Sequence, residues 1–241
     1  MKDFDRALTQ SERRVIDCLT TPIRVQTFLD KLPYSVESDY RCPLHVLRDR
    51  MAHCFDGALF GAAAMRRLGH PPLIVNMLAN DQDDDHMLAL YRRDGHWGAV
   101  AKSNFAGLRF REPVYRTLHE LVMSYFEQFY NVERKKTLRS YTVPLNLKPF
   151  DKFDWMISDG PLERIGKRLD EIRKVHLLTR RMIAGLSFVD ERSYRAGLLG
   201  ANQASLYQPS RKRAKKAETI SKPSGLVIED VSFEIQTLNS H

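Results

Sequence analysis

Residues 54–72 constrain the fold more than any other stretch of this chain. Cys54 begins a run whose spacing predicts a helix, Gly69 fits the position just past its end, and Pro71 and Pro72 cannot continue it. Residues three or four apart share one helix face, and the face that carries the cysteine holds mainly small side chains (Ala58, Gly61, Ala62 and Met65). Such a bare face lets a sheet approach closely, so we predict a cysteine-bearing helix packed on β-structure.

A cysteine at the start of a helix has a chemical use as well as a structural one. The free N–H groups and the helix dipole lower the pKa of a thiol there, a nearby imidazolium lowers it further, and the same N–H groups can hold an oxyanion. Asp56 can cap those N–H groups, but its charge also disfavours a thiolate. From this segment alone, Cys54 is either a nucleophile or a buried cysteine that packs as a small apolar residue.

Three apolar runs after Pro72 predict an antiparallel sheet. They cover residues 73–78, 86–92 and 96–101, and Asp94-Gly95 between the last two is typical of a hairpin turn. Both faces of the run that begins at His86 are apolar, which indicates a central strand covered on each side.

The hairpin places His86 opposite a polar side chain. A two-residue turn pairs Arg93 with His96, which sets His86 opposite Ser103, or opposite Asn104 if a one-residue bulge intervenes. Either side chain could accept the imidazole N–H, and the amide of asparagine is the better-fixed acceptor. Three aspartates just before His86 favour its charged form. A hydrogen-bonded structural histidine is the alternative.

These residues together resemble the transglutaminase-like superfamily, whose members share a papain-like core. The resemblance rests on a cysteine opening a small-residue helix, the Leu-Gly-x-Pro link at 68–71, a histidine-led strand and a tryptophan-bearing strand that ends in a polar residue, and it covers roughly residues 43–105. It implies Cys54 as nucleophile, His86 as general base and acid, and Asn104 (or Ser103) as the residue that orients the imidazole. Aspartate is usual at that third position in these relatives, and asparagine is the papain-type equivalent.

The resemblance also sets the expected activity. It implies a cysteine-dependent hydrolase or acyl/amine transferase that acts on an amide or ester, in a protein or peptide for example, through an acyl-enzyme. The alternative is an inactive fold of this type that serves as a protein-binding module.

The expected fold class is α+β, with the Cys54 helix packed on an antiparallel sheet. We predict an N-terminal helical extension over 1–42, the transglutaminase-like core over 43–147, a helical appendage over 148–202, and a basic, largely disordered tail over 203–241 whose alternation at 225–235 is typical of a strand.

Composition and cysteine count indicate which compartment, partners and cofactors to expect. Three cysteines among 241 residues, with no signal-like N-terminus, predict a reducing, cytoplasmic compartment rather than a disulfide framework. No apolar run reaches membrane-spanning length, so no membrane partner is expected. The net charge of +8 includes a basic run at 211–216, which we interpret as a solvated tail with nucleic-acid binding as the alternative. Cys42-x-x-His45 is only a fragment of a zinc motif, so neither a metal nor a cofactor is predicted.

The remaining segments give further expectations about structure. Cys18 lies in the apolar stripe of a helix over 11–19, which predicts a core position. Other predicted elements are helices over 23–32 and 44–50, a strand over 105–111, a helix from Pro113 to Phe129, an edge strand over 141–145, and helices over 162–173, 177–186 and 187–199.

Overall fold

The computed structural model describes residues 2–37 and 39–208, and the chain up to Tyr207 forms one compact unit. The fold is α+β, as the sequence predicts, with helices on both faces of an antiparallel sheet. The helices are α1 (Lys2–Ala7), α2 (Gln10–Asp17), α3 (Pro22–Asp30), α4 (Pro43–Asp49), α5 (Cys54–Arg67), α6 (Leu118–Met123), α7 (Leu162–Glu171), α8 (Arg180–Ala184) and α9 (Glu191–Gly197). The strands are β1 (Leu73–Ala79), β2 (His86–Arg93), β3 (His96–Val100), β4 (Arg111–Tyr115), β5 (Leu138–Thr142), β6 (Leu145–Asn146) and β7 (Lys174–His176).

The sheet places β2 in a central position, which confirms the prediction from its two apolar faces. The strand order is β4-β3-β2-β1-β5-β7, with β6 also pairing with β1. The β2–β3 hairpin has the predicted register, with Arg93 opposite His96. One face of the sheet packs on the N-terminal helices and α5, whereas the other packs on α6.

Helix α5 lies very close to the sheet because of its small residues. A Cβ on Gly61 would lie 2.8 Å from both Ala89 and Val100, and a Cβ on Gly57 would lie 2.2 Å from Lys102. No side chain larger than hydrogen fits at either position without a shift of the neighbours. The helix ends as predicted, with Gly69 in the left-handed region at φ +89°.

The pairing of β3 with β2 ends at Val100. At the next residue, Ala101, a side chain from α3 makes the backbone hydrogen bonds that β2 no longer provides. The amide of Gln26 in α3 donates to Ala101 O at 2.9 Å and accepts from Ala101 N at 3.0 Å. The neighbouring residue, Lys102, is buried and donates through Nζ to the carbonyls of Leu29 and Leu32. Leu32 is two residues before Tyr34 in the chain. The cleft described below lies where the two strands separate.

Several predicted elements differ from the structure. Residues 106–108 form a 3₁₀ turn, and the strand predicted over 105–111 begins only at Arg111. Pro113 lies within β4 rather than at a helix start, and the helix that follows is confined to Leu118–Met123. Strand β5 lies between β1 and β7, so the predicted edge position is wrong for residues 141–142, whereas Leu145 belongs to β6, which pairs with β1 alone.

The structure also differs from the prediction at Cys18 and at the second of the three predicted C-terminal helices. Cys18 is exposed at the C-terminal cap of α2, since the apolar stripe of this helix buries Ile16 instead. The helix predicted over 177–186 shortens to Arg180–Ala184, because the Thr179 side chain caps its start by accepting the Met182 N–H.

Both predicted helical extensions contribute to the core that surrounds α5. Phe4 and Val25 from the N-terminal side, and Trp155 and Leu169 from the C-terminal side, lie in one buried cluster with it. The division into four segments therefore stays a prediction about chain organisation. No described helix is both long and apolar enough to cross a bilayer. The basic run at 211–216 and the strand predicted at 225–235 lie outside the described residues.

Candidate active site

Cys54 is the first residue of α5, and its sulfur rests against the backbone of β2. His53 caps the helix by accepting the Phe55 N–H at 3.1 Å, and Asp56 in turn accepts the His53 N–H at 3.2 Å. This reciprocal cap fixes the first turn and therefore the direction of the thiol.

The sulfur contacts the residues on either side of His86. It lies 3.8 Å from Asp85 O and interacts with the Met87 N–H. Two bonds, C=O and C–N, lead from this oxygen to the backbone nitrogen of His86, and together they add at most about 2.6 Å. The Cys54 sulfur is therefore within about 6.4 Å of the His86 backbone nitrogen. The structure thus brings the Cys54 sulfur to the backbone at the start of β2, whereas the His86 imidazole lies on the sheet face opposite to α5.

The His86 imidazole is buried and held by a backbone carbonyl. Its Nε2 lies 2.7 Å from Leu108 O, on the sheet face that Leu88 and Leu90 share. A carbonyl oxygen only accepts, so Nε2 carries the proton in the neutral ring and Nδ1 keeps a basic lone pair. Within the described residues, no hydrogen bond joins this ring directly to the Cys54 sulfur.

The residue that holds the imidazole is not the one predicted from the sequence. The Asn104 amide bonds to Asn202 and Ser205, and the Ser103 hydroxyl accepts the Phe105 N–H at 3.0 Å. Leu108 O therefore occupies the position expected for Asn104 or Ser103. The predicted register was not reached because the β2–β3 ladder ends at the pair Ala89–Val100.

The Cys54 thiol and the His86 imidazole are both neutral in this geometry, whereas the helix start and the preceding aspartates favour their charged forms. Burial raises the pKa of the Cys54 thiol to about 11, although the Tyr34 hydroxyl and the Met87 N–H act in the opposite direction. Burial also lowers the pKa of His86 to about 4, partly offset by the bond to Leu108. The helix start and the aspartates before His86 do not outweigh this loss of solvation.

Tyr34 is a site residue that the sequence did not reveal. Its hydroxyl hydrogen-bonds to the Cys54 sulfur, and burial together with the Cys54 charge raises the tyrosine pKa well above its ordinary value. The residue is held by an isolated parallel bridge to Ala52, directly before the helix cap. It lies in a segment without periodicity, so no sequence pattern marked it.

A small cleft opens beside the imidazole, and Tyr34 connects it to the sulfur. Its volume is about 60 Å³, enough for a few water molecules at roughly 10–15 Å³ each. Five stretches of chain meet there, and the residues that line it are Tyr34, Asp83–His86, Ser103–Phe105, Leu108, Phe129, Tyr130 and Ser205–Tyr207.

A second cysteine–histidine–aspartate group lies elsewhere, at the start of α4. Asp159 accepts the Cys42 N–H at 2.7 Å and bonds to His45 Nδ1 at 2.6 Å. The ligand atoms of the three residues lie within 4.8 Å of one another, a spacing at which they could hold a metal ion. The Cys42 side chain is fully buried and its pKa is raised to about 12 by that burial, so it is a poor candidate for a nucleophile.

Comparison with known proteins gives only remote similarity. No family model and no curated protein matches the chain. Among solved structures, LapG of Legionella pneumophila is 13% identical with a TM-score of 0.36, over 66% of this chain and 92% of LapG. An EGTA-treated form of LapG matches with the same identity and TM-score over 68% and 92% of the two chains. Likeness at this level says nothing about chemistry, which must be argued from the residues of this chain.

Proposed function

We propose that this protein is a cysteine-dependent hydrolase or acyl/amine transferase that acts on an amide or ester. One observation carries the proposal: the Cys54 sulfur, at a capped helix start, lies against the backbone on both sides of His86. A thiol, a base and a hydroxyl donor then share one end of the sheet, which is the set of groups that acyl transfer to a thiol needs.

The reaction begins from the neutral pair. Because no hydrogen bond joins the two side chains, Nδ1 of His86 takes the Cys54 proton through a bridging water molecule. The sulfur attacks the carbonyl carbon of the substrate, and the imidazolium returns the proton to the leaving amine or alcohol. Water or an amine attacks the thioester that results, and His86 removes its proton, which yields an acid or a new amide and restores the thiol. The Leu108 carbonyl supports both the acylation of Cys54 and the later attack on the thioester, because it accepts Nε2–H of His86 whether the ring is neutral or charged.

We assign Tyr34 the role of oxyanion donor. Its hydroxyl lies close enough to the sulfur to lower the thiol pKa, and we place it next to the position that the carbonyl oxygen occupies after attack. Removal of one such donor lowers the rate of acylation by about 10²–10³-fold in other enzymes.

Acyl-enzyme trapping tests this proposal. The intact protein is incubated with a panel of activated amide and ester probes, and the labelled cysteine is identified by mass spectrometry. We expect a thioester on Cys54 that is absent in Cys54→Ala and strongly slowed in His86→Gln and Tyr34→Phe. Cys18→Ala is the matched control, since it removes an exposed thiol outside the site. Equal labelling of Cys54 in wild type and His86→Gln would contradict the assignment.

Two observations support a second candidate function, that of an inactive protein-binding module. The raised thiol pKa and the lack of a direct sulfur–imidazole hydrogen bond suit an inactive fold that serves as a protein-binding module. In that case no acyl probe labels Cys54, and the His86→Gln substitution leaves the slow alkylation of this thiol unchanged.

A further inference from the structure

The segment 202–207, here called the strap, lies across the cleft beside His86. It begins at Asn202, whose backbone is extended at φ −78° and ψ 105°, and continues through a single 3₁₀ turn to Tyr207. Three strap residues line the cleft together with the imidazole. The Tyr207 hydroxyl donates to Asp81 O at 3.4 Å on the far side, so the strap is attached at both ends.

The strap is held through its backbone. Oδ1 of Asn104 accepts the Asn202 N–H at 2.7 Å, and Nδ2 of Asn104 donates to Asn202 O at 2.9 Å. One side-chain amide thus binds both polar backbone groups of one extended residue, as a neighbouring strand would. This contact does not depend on the identity of the side chain at the bound position.

A second contact fixes the same residue from the other wall of the cleft. The Asn202 amide donates to Tyr34 O at 3.2 Å, and Tyr34 also bonds to the Cys54 sulfur. An extended residue bound at Asn104 therefore also contacts Tyr34, and both Asn104 and Tyr34 line the cleft beside His86.

The strap also fills the apolar part of the cleft. Leu206 is 8% exposed and lies among the lining residues, and the space left beside it is about 60 Å³. That volume holds a few waters but no acyl group of useful size. Substrate entry requires the strap to move.

We propose that this cleft binds extended polypeptide, with Asn104 as the residue that holds the substrate backbone, and that the strap is an internal occupant that the substrate displaces. The proposal deepens the proposed function by naming its substrate class, and it rests on that function only for what happens after binding. Binding itself is measured without turnover. Asn104 thereby acquires a role other than the orientation of His86.

The test compares two substitutions at one exposed position. Asn202→Pro removes the backbone N–H that Asn104 accepts, while φ −78° suits proline. Asn202→Ala keeps that N–H and loses only the side chain. A fluorescein-labelled peptide with the sequence of residues 200–208 is titrated into the full-length wild type and both variants, and each variant is checked for an unchanged melting transition. A second peptide carries an N-methyl group at the residue that corresponds to Asn202.

We expect the peptide to bind Asn202→Pro at least about tenfold more tightly than wild type, with Asn202→Ala in between. N-methylation should weaken binding by about 3–10-fold, the usual effect of one neutral hydrogen bond. Equal binding to all three proteins, no saturable binding to Asn202→Pro, or no effect of N-methylation would overturn the proposal. If the peptide binds as expected while acyl probes leave Cys54 unlabelled, the cleft binds peptide and the proposed catalysis is wrong.

Discussion

The substitution Gly57→Ala tests the close approach that positions the sulfur. Its new Cβ would lie 2.2 Å from the Cβ of Lys102, and 3.2 and 3.3 Å from its backbone N and Cα, so the clash is with backbone as well as side chain. The backbone there resists a shift because Gln26 holds Ala101 and the Lys102 ammonium is buried. Overpacking of this kind costs about 1–3 kcal/mol, against a gain of at most about 1 kcal/mol from helix propensity.

Gly166→Ala in α7 is the matched control. It makes the same change inside a helix, but the nearest atom to its new Cβ is Tyr40 Oη at 4.0 Å. Because the clash involves backbone, the cost of overpacking falls in the upper part of that range, about 2–3 kcal/mol. Urea unfolding should therefore show Gly57→Ala less stable than wild type by about 1–2 kcal/mol, and Gly166→Ala more stable by about 0.5–1 kcal/mol. If Gly57→Ala unfolds at the same urea concentration as wild type or a higher one, α5 does not approach the sheet as described.

Three further outcomes are expected. The alkylation rate of Cys54 in a Cys18→Ala background should rise about tenfold per pH unit from pH 7 to 9, because the thiol pKa is about 11; a plateau below pH 8 would contradict this. The pKa of His86 falls from 6.5 to about 4 on folding, so the unfolded state binds the proton first as the pH falls. Stability should therefore decrease between pH 6.5 and 4, and acid unfolding of His86→Gln should lose this component. Lys102→Met removes the side-chain donor to the Leu32 carbonyl, while the Leu29 carbonyl keeps the Leu32 N–H, so the free energy of unfolding should fall by about 1–3 kcal/mol in urea titrations.

The parts of the fold that the sequence predicts depend on local signals. The cysteine helix, its stop at Gly69 and the Asp94-Gly95 hairpin each depend on residues within one or two turns of each other, and all three are present. Their mutual placement follows from the small face of α5 and from the apolar run of β2. The pairing of Cys54 with the end of β2 was thus accessible to sequence reasoning.

The remainder of the site depends on contacts between distant segments. The hairpin register could not be continued to Ser103, because Gln26 binds Ala101 from 75 positions away and separates β3 from β2. Tyr34 and the Leu108 carbonyl come from irregular segments, where neither periodicity nor residue type indicates a role. The charge states could not be read from the sequence for a related reason: the burial that sets them is a property of the whole packed molecule.

The bonds from Gln26 and Lys102 have a mechanical consequence. They connect α3 to residues 101–102 and to the chain leading to Tyr34, so one wall of the cleft belongs to a helix rather than to the sheet. A displacement of α3 would therefore also displace residues 101–102 and the chain that leads to Tyr34.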